Sequence, residues 1–374
     1  MKQHQAVKGF LAATLTFWAS QAHAWRETGH WAACEIAYNN VSAITRARLD
    51  ALMGPEFAQQ CTWPDMVRGE SSPWKFTAKW HFADIHDHAD YFDKGVVSEE
   101  GDPVRSILIA LDMLRASATP DEMKRTWVRF LGHVVGDLHQ PLHVGRPDDQ
   151  GGNKGYEVSW YGVSSYEYPE ILRASPRAEC VGSNIWFEPI TGECVEAKVQ
   201  QKPVNLHAVW DFHMIDQFVH HLPEVPGDSV HRHKAYAKAV SRKMPVSQWQ
   251  SIVHTLPIDW MNESRIDRAT AYSAVPRQTL GDVYYTQGIV VANERVLYAG
   301  LRLAYLLDRV FDPSVEQEYP AALRQREDTL RARITETHGW GPYEGIEQKF
   351  RAASSVEQKR DTNSPPAVPV QPSM

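Results

Sequence analysis

The segment from Gly132 to His143 reads Gly-His-Val-Val-Gly-Asp-Leu-His-Gln-Pro-Leu-His, and no other stretch limits the fold as much. His133 and Asp137 stand four residues apart, so a helix presents both side chains on one face, about a turn apart. Pro141 cannot continue that helix, and His143 then swings back on the exit turn. Two imidazoles and a carboxylate converging from one short stretch suit a borderline cation, zinc first. His139 lies two residues from Asp137, points to another side, and does not share that ion.

The N-terminus carries a second constraint. Residues 1–24 hold Lys2 and Lys8, an apolar run from Gly9 to Trp18, and the small-residue pattern Ala22-His23-Ala24. That is the pattern of a secretory signal peptide cleaved before Trp25, with an apolar run too short to span a bilayer. The mature chain then begins Trp25-Arg26-Glu27-Thr28-Gly29-His30, where a free α-amino group and the Trp25 carbonyl form a chelate and His30 follows within reach. Processing would thus create a ligand that an internal Trp cannot offer. The expected destination is export, to a periplasm or the extracellular space. No later segment has the length and purity of a membrane-spanning helix, so no stable membrane association is expected after cleavage.

The formal charge of −7 becomes −9 without Lys2 and Lys8, which argues against a protein that clings electrostatically to duplex DNA. It does not exclude a nuclease, because cations in a carboxylate-lined cleft reverse the local sign. Four cysteines in an exported chain make two disulfides plausible. Cys180 and Cys194 could staple one loop and leave Cys34 with Cys61. Three connectivities exist, and Cys34 could equally be a buried free thiol.

The periodicity is overwhelmingly helical. Helices are expected at His30–Asn39, Ser42–Met53 with Ser42 as N-cap, Val104–Ala116, about Pro120–Gln140, Asn205–His221 and Asp282–Phe311. Cys61–Asp65 reads as loop, because Pro64 disfavours helix at Trp63. From Gly151 to Val204 the pattern breaks into short Tyr-, Trp-, Val- and Gly-containing runs, read as one or two irregular hairpins. Glu316–Arg333 reads as a solvated helical face, and residues 361–374 as a disordered tail.

Asn205 to Asp211 repeats the earlier logic, with His207 and Asp211 four apart on an expected helix. Two such His/Asp pairs can meet across a helical core. Trp63-Pro64-Asp65 and Trp80-His81-Phe82-Ala83-Asp84 add a carboxylate and an imidazole flanked by aromatics. The candidates are then the Trp25 amine, Asp65, Asp137 and Asp211, and His30, His81, His133, His143 and His207. One zinc takes three or four protein ligands, so this set is too large for one ion and suits three if a carboxylate bridges two.

With those segments, Asp149-Gln150-Gly151-Gly152-Asn153 and Ala299-Gly300-Leu301-Arg302-Leu303-Ala304, the chain resembles the S1/P1 nuclease family. That family lies within the zinc-dependent phospholipase C superfamily, and the resemblance runs from about Trp25 to Phe311. It implies an all-α fold: one helical domain over 25–312 with an irregular hairpin-containing insertion near 163–203, then a charged helical extension over 313–360. It further implies three zinc ions. One takes Asp65, His81, His133 and Asp137. A second takes the Trp25 amine and carbonyl, His30 and the bridging Asp137, and a third takes His143, His207 and Asp211. The implied activity is hydrolysis of single-stranded DNA and RNA to 5′-phosphate products, with 3′-nucleotidase action and no obligate protein partner.

Zinc makes bound water a nucleophile near neutral pH. By the same resemblance Asp65 orients it, Arg68 neutralises charge in the transition state, and Phe82 and Asp84 hold a splayed base. Two departures stand out. The insertion separates the Gly-Gly-Asn segment from the Asn205 helix, and Phe212 follows Asp211 where a small polar residue is expected. The rival readings are a zinc-dependent phospholipase C and a zinc-stabilised binding protein without turnover. The spacing of Trp25 and His30, Asp211 in place of Glu, and the Phe82/Asp84 pair speak against the lipase.

Overall fold

The structure is a computed structural model that describes residues 25–160, 185–187, 194–196, 203–222 and 231–363. The expected signal segment and the Cys180 partner lie outside the described residues, as does most of the insertion.

The fold is all-α. Helices α1 (Arg26–Asn40), α2 (Ala43–Met53), α3 (Phe57–Gln60) and α4 (Trp63–Val67) precede α5 (Pro103–Arg115) and α6 (Asp121–His139). Then come α7 (Leu206–Ala208), α8 (Met214–His220), α9 (Arg232–Ser241), α10 (Trp249–Val253), α11 (Pro257–Ala271) and the long α12 (Asp282–Phe311). The chain continues through α13 (Pro313–Gln317), α14 (Ala321–Thr337) and α15 (Ile346–Asn363). No helix among the described residues is long and apolar enough to cross a membrane.

Helix α6 is the axis of the core, packed against α1, α5, α11 and α12. Leu131, Val134, Val135 and Leu138 are buried, each worth about 1.5–3 kcal/mol relative to exposure. The hydroxyl of Ser42 accepts from the Thr45 amide and caps α2 as expected. Cys61–Asp65 departs from expectation, because α4 begins at Trp63. Pro64 falls in the first turn, where a missing N–H costs nothing and its fixed φ suits a helix. The expected single helix over Asn205–His221 is also modified. A π-helical turn at Val209–His213 separates α7 from α8, a distortion that recurs at functional sites.

The strands are few and short. β1 (Glu157–Trp160) lies between β4 (Pro203–Asn205), antiparallel, and β5 (Thr279–Leu280), parallel, while β2 (Ile185–Phe187) and β3 (Cys194–Glu196) pair antiparallel. β4 runs straight into α7, whose first turn Asn205 caps by accepting from the Ala208 amide at 2.7 Å.

Beyond Asp312 the chain returns to the core. Phe350 stacks on Trp127 at 4.1 Å and meets Trp74 edge-on at 4.9 Å, and the Trp74 indole donates to Glu357 at 3.0 Å. Glu316–Arg333 is therefore less solvated than expected. Leu323, Leu330 and Glu327 are buried, the last between Arg309 and Arg331. Helix α15 runs to Asn363, into the segment expected to be disordered.

Cys34 and Cys61 form a disulfide, one of the open pairings and not the free thiol. A Cβ at Gly132 would lie 2.7 Å from Cys61 Sγ and 3.0 Å from Cys34 Sγ, so glycine lets the bridge rest on α6. With a sequence separation of 27, loop-closure entropy puts its contribution at about 3.5 kcal/mol. The double variant Cys34→Ser/Cys61→Ser is expected to lose about that much in chemical denaturation. A loss under about 1 kcal/mol would mean that the bridge hardly constrains the unfolded chain.

Candidate metal centre

Three neighbouring groups of buried side chains could hold metal: His30, His133 and Asp137; Asp65, His81 and His133; and His143, His207 and Asp211. They come from distant parts of the sequence. α6 supplies His133 and Asp137 from one face, α1 brings His30, α4 brings Asp65, and the helical turn before Phe82 ends at His81. The exit turn after Pro141 carries His143, α7 carries His207 and the π-helical turn after it carries Asp211. All are 5% exposed or less.

The distances are those of ligands facing a common point. His30 Nε2 lies 3.3 Å and His133 Nε2 3.2 Å from the two oxygens of Asp137. Asp65 Oδ1 is 3.4 Å from His133 Nε2 and 3.5 Å from His81 Nδ1, and His207 Nε2 is 3.3 Å from Asp211 Oδ2. His133 thus sits between two groups, its ring stacked on His30 at 4.0 Å. A Cβ at Gly136 would lie 2.6 Å from His30 Nδ1, so only glycine there admits His30 against α6.

Three imidazoles are oriented by one device. His133, His143 and His207 each turn Nδ1 to a backbone carbonyl, of Cys61, His81 and Gly151, at 2.6–2.7 Å. A carbonyl only accepts, so each Nδ1 carries a proton, and at His143 and His207 Nε2 is left as the lone-pair nitrogen facing the site. His143 Nε2 and His207 Nε2 are buried without a hydrogen bond. His139 turns Nδ1 to Val135 and its Nε2 accepts from Arg302, which leaves no lone pair for a metal and agrees with its exclusion from the sequence set.

The electrostatics follow from burial. Desolvation pushes His30 down to about 4, and His81 and His207 to about 3, so these imidazoles are neutral at pH 7. At His133 burial acts the same way, but the charges of Asp137 and Asp65 win and lift it to about 10. Asp137 is held well below the carboxylate range: burial opposes ionisation, yet His133 and His143 outweigh it. At Asp211 burial wins and raises the carboxyl well above that range, despite a hydrogen bond from Gln140 and the charge of Arg26.

Above these groups opens a cleft of about 1040 Å³ whose lining includes Arg68, Lys79, Phe82, Asp84, His143 and His207. Arg68 Nε reaches Asp65 Oδ1 at 3.0 Å, and Lys79 Nζ lies 5.1 Å from the Phe82 ring centroid. The Trp25 indole donates to Gly136 O at 2.9 Å and its carbonyl accepts the Gly29 amide, with the residue at φ 43°. Phe212 lies under the Arg26 guanidinium at 3.9 Å.

Sequence reasoning passed over two residues at the site. Gln140 donates to Asp211 Oδ1 at 2.6 Å while its own Oε1 accepts the Leu142 amide. Arg268 binds backbone on both sides of the cleft floor. Gln140 lies inside the ligand-bearing segment and was open to notice; α11, which carries Arg268, has weak amphipathic patterning and gave no such signal.

A helical core that gathers three buried His/Asp groups under one cleft defines a metal-centre protein. The model of the S1/P1 nuclease family matches residues 25–166 and 190–312. Endonuclease 3 of Arabidopsis thaliana is 27% identical over 79% of this chain and 92% of its own length. Nuclease S1 of Aspergillus oryzae is 23% identical over 80% and 96%. The chain belongs to the S1/P1 nuclease family, and family and relatives together support a nuclease.

Asp84 offers a test of the site's electrostatics. Burial, and after it the charge of Asp149, raises its carboxyl to about 7 against the partial relief of Lys79 and Arg268. The folded state therefore keeps a proton that the unfolded chain releases near pH 4, so stability present below that pH is lost as pH rises to 7. In EDTA-treated protein, Asp84→Asn is expected to match wild type in melting temperature at pH 4 and exceed it at pH 8. Parallel pH profiles would show that Asp84 titrates normally.

Proposed function

We propose that this protein hydrolyses phosphodiesters of single-stranded DNA and RNA to 5′-phosphate products, with 3′-nucleotidase activity, using three zinc ions. The observation that carries the reading is the convergence of the three His/Asp groups on the wall that bears Arg68, Phe82 and Asp84.

The donor set fits zinc. Bonds of 2.0–2.1 Å to a tetrahedral ion put neighbouring ligand atoms about 3.3 Å apart, the spacing seen at His30–Asp137, His133–Asp65 and His207–Asp211. Asp65, His81, His133 and Asp137 would hold one ion, and His143, His207 and Asp211 another. His30 and Asp137 would hold the third with the amine and carbonyl of Trp25, freed when a signal peptide is cleaved before it. When bound, zinc supplies Lewis acidity and an activated water.

The protein's own groups do the rest. Asp137 faces His30 with one oxygen and His133 with the other, so its carboxylate would be shared by the two ions. Asp65 orients the nucleophile, and Arg68, bound to it, presents positive charge to the phosphate. Phe82 offers a ring face for stacking and Asp84 a carboxyl for a base edge, which favours unpaired strands because a paired base is costly to extract. The Cys34–Cys61 bridge fits export to a periplasm or the extracellular medium. Lys79, Gln150, Asn153 and Asn205 make the cleft wall polar, beside Glu70 and Glu100, which suits a phosphodiester backbone better than acyl chains, against the lipase reading.

The test compares initial rates on single-stranded DNA and short-chain phosphatidylcholine for zinc-loaded protein beginning at Trp25. Faster DNA cleavage is expected; faster lipid cleavage would overturn the nuclease reading and keep the metal centre. Asp137→Ala should lower kcat/KM by about a thousandfold or more and Asp84→Ala by about tenfold, since a bridging ligand outweighs one base contact. Near-normal turnover in Asp137→Ala would sink the zinc assignment. A residue added ahead of Trp25 should also depress activity by blocking the amine.

A further inference from the structure

Two stretches of backbone meet on the cleft floor. Residues 81–85 carry His81, Phe82 and Asp84, and residues 143–145 carry His143. They are zipped together: His143 Nδ1 donates to His81 O at 2.6 Å, the Ala83 amide to His143 O at 2.8 Å, and the Ile85 amide to Gly145 O at 2.9 Å. The far end of this ladder leaves carbonyls pointing into the interior. One side chain takes them: Arg268 Nη1 donates to Ile85 O and Val144 O at 2.6 Å and to Gly145 O at 2.7 Å, and Nη2 donates to Asp87 at 2.8 Å.

Arg268 is 4% exposed, and desolvation lowers its pKa from the ordinary arginine value. A guanidinium is costly to bury unless its donors are satisfied, and most of the partners here are neutral carbonyls. Its one close carboxylate, Asp87, is largely exposed and is shared with Arg146. One nitrogen, Nη1, therefore ties one segment to the other while Nη2 holds Asp87; a lysine ammonium, one bond shorter and without a second nitrogen, does not reproduce this. The charge of Arg268 also acts on Asp84.

Resting on the nuclease reading, we propose that Arg268 is a positioning residue that locks the base-holding segment 81–87 to the His143 turn, so that base seating and the His143/His207/Asp211 metal ion depend on one another. It is buried and does not line the cleft. A purely structural role would lower stability and leave base discrimination and the order of metal release unchanged.

The experiment uses the zinc-loaded full chain with Arg268→Gln and Arg268→Lys. Two quantities are read: release of zinc to a chromogenic chelator, and the ratio of kcat/KM for a 3′-mononucleotide to that for ribose 3-phosphate, which has no base. The expected result is one zinc equivalent released about tenfold faster, in line with the usual effect of losing a group that orients a metal ligand. With it, the advantage of the base-bearing substrate should fall about tenfold, mainly through KM. If Arg268→Gln fails to fold, Arg268→Lys decides alone, because its ammonium ends one bond short of the Nη1 position that binds the three carbonyls and has no second nitrogen for Asp87. Wild-type zinc release and wild-type base advantage in a folded variant would overturn the proposal. Failure of wild type to cleave DNA would overturn the nuclease reading, while the zinc-release measurement would still judge Arg268.

Discussion

Asp137 is an ionised carboxylate with no exposed surface, and much of the molecule is arranged around that fact. A buried charge without partners costs several kcal/mol or more, so the fold must bring a cation, His133, and further imidazoles to it. His133 comes from one turn earlier on the same helix, His30 through the gap left at Gly136, and His143 by the reversal after Pro141. Each of these imidazoles would be a liability elsewhere in the core. Together they form a cluster whose geometry already resembles a coordination shell, and the surrounding apolar helices hold it rigid.

The rigidity is built outward from the ligands. Carbonyls of Cys61, His81 and Gly151 fix three rings, and each belongs to a segment that is itself restrained. Cys61 is bridged to Cys34 on α1, His81 ends a helical turn walled by Trp74 and Trp80, and Gly151 precedes the strand pair that launches His207. Orientation of the site thus relies on backbone groups, whose positions depend on tertiary packing more than on any local motif.

This explains what could be read from the sequence. The i, i+4 pairs His133/Asp137 and His207/Asp211 are local, so their shared faces were visible at once, as was the reversal at Pro141. The helical character of the chain was equally plain, with α12 matching its expected span. Pro64 misled, because the rule against helix before proline yields when proline occupies the first turn. α11 went unnoticed: its mixed polar sequence hides a helix whose half-buried Glu263 and buried Ser264 and Arg268 bind other elements and interrupt the apolar face of Trp260, Met261 and Ala271. The partners of Ser264 and Arg268 lie more than a hundred positions away and that of Glu263 on the next helix, and no spacing announces them. Gln140 is the intermediate case, adjacent to the ligands yet recognisable only once Asp211 is seen beside it.

The extension beyond Asp312 changes what a minimal version of this protein can be. Cutting the chain where the family match ends would remove Tyr343 and Phe350 from the wall formed by Trp74, Trp80, Trp127 and Phe130. Those rings would become an apolar patch directly behind the turn that ends at His81. A shortened version would trade a covered interior for a sticky outer face, so the boundary of homology and the boundary of the folding unit do not coincide in this chain.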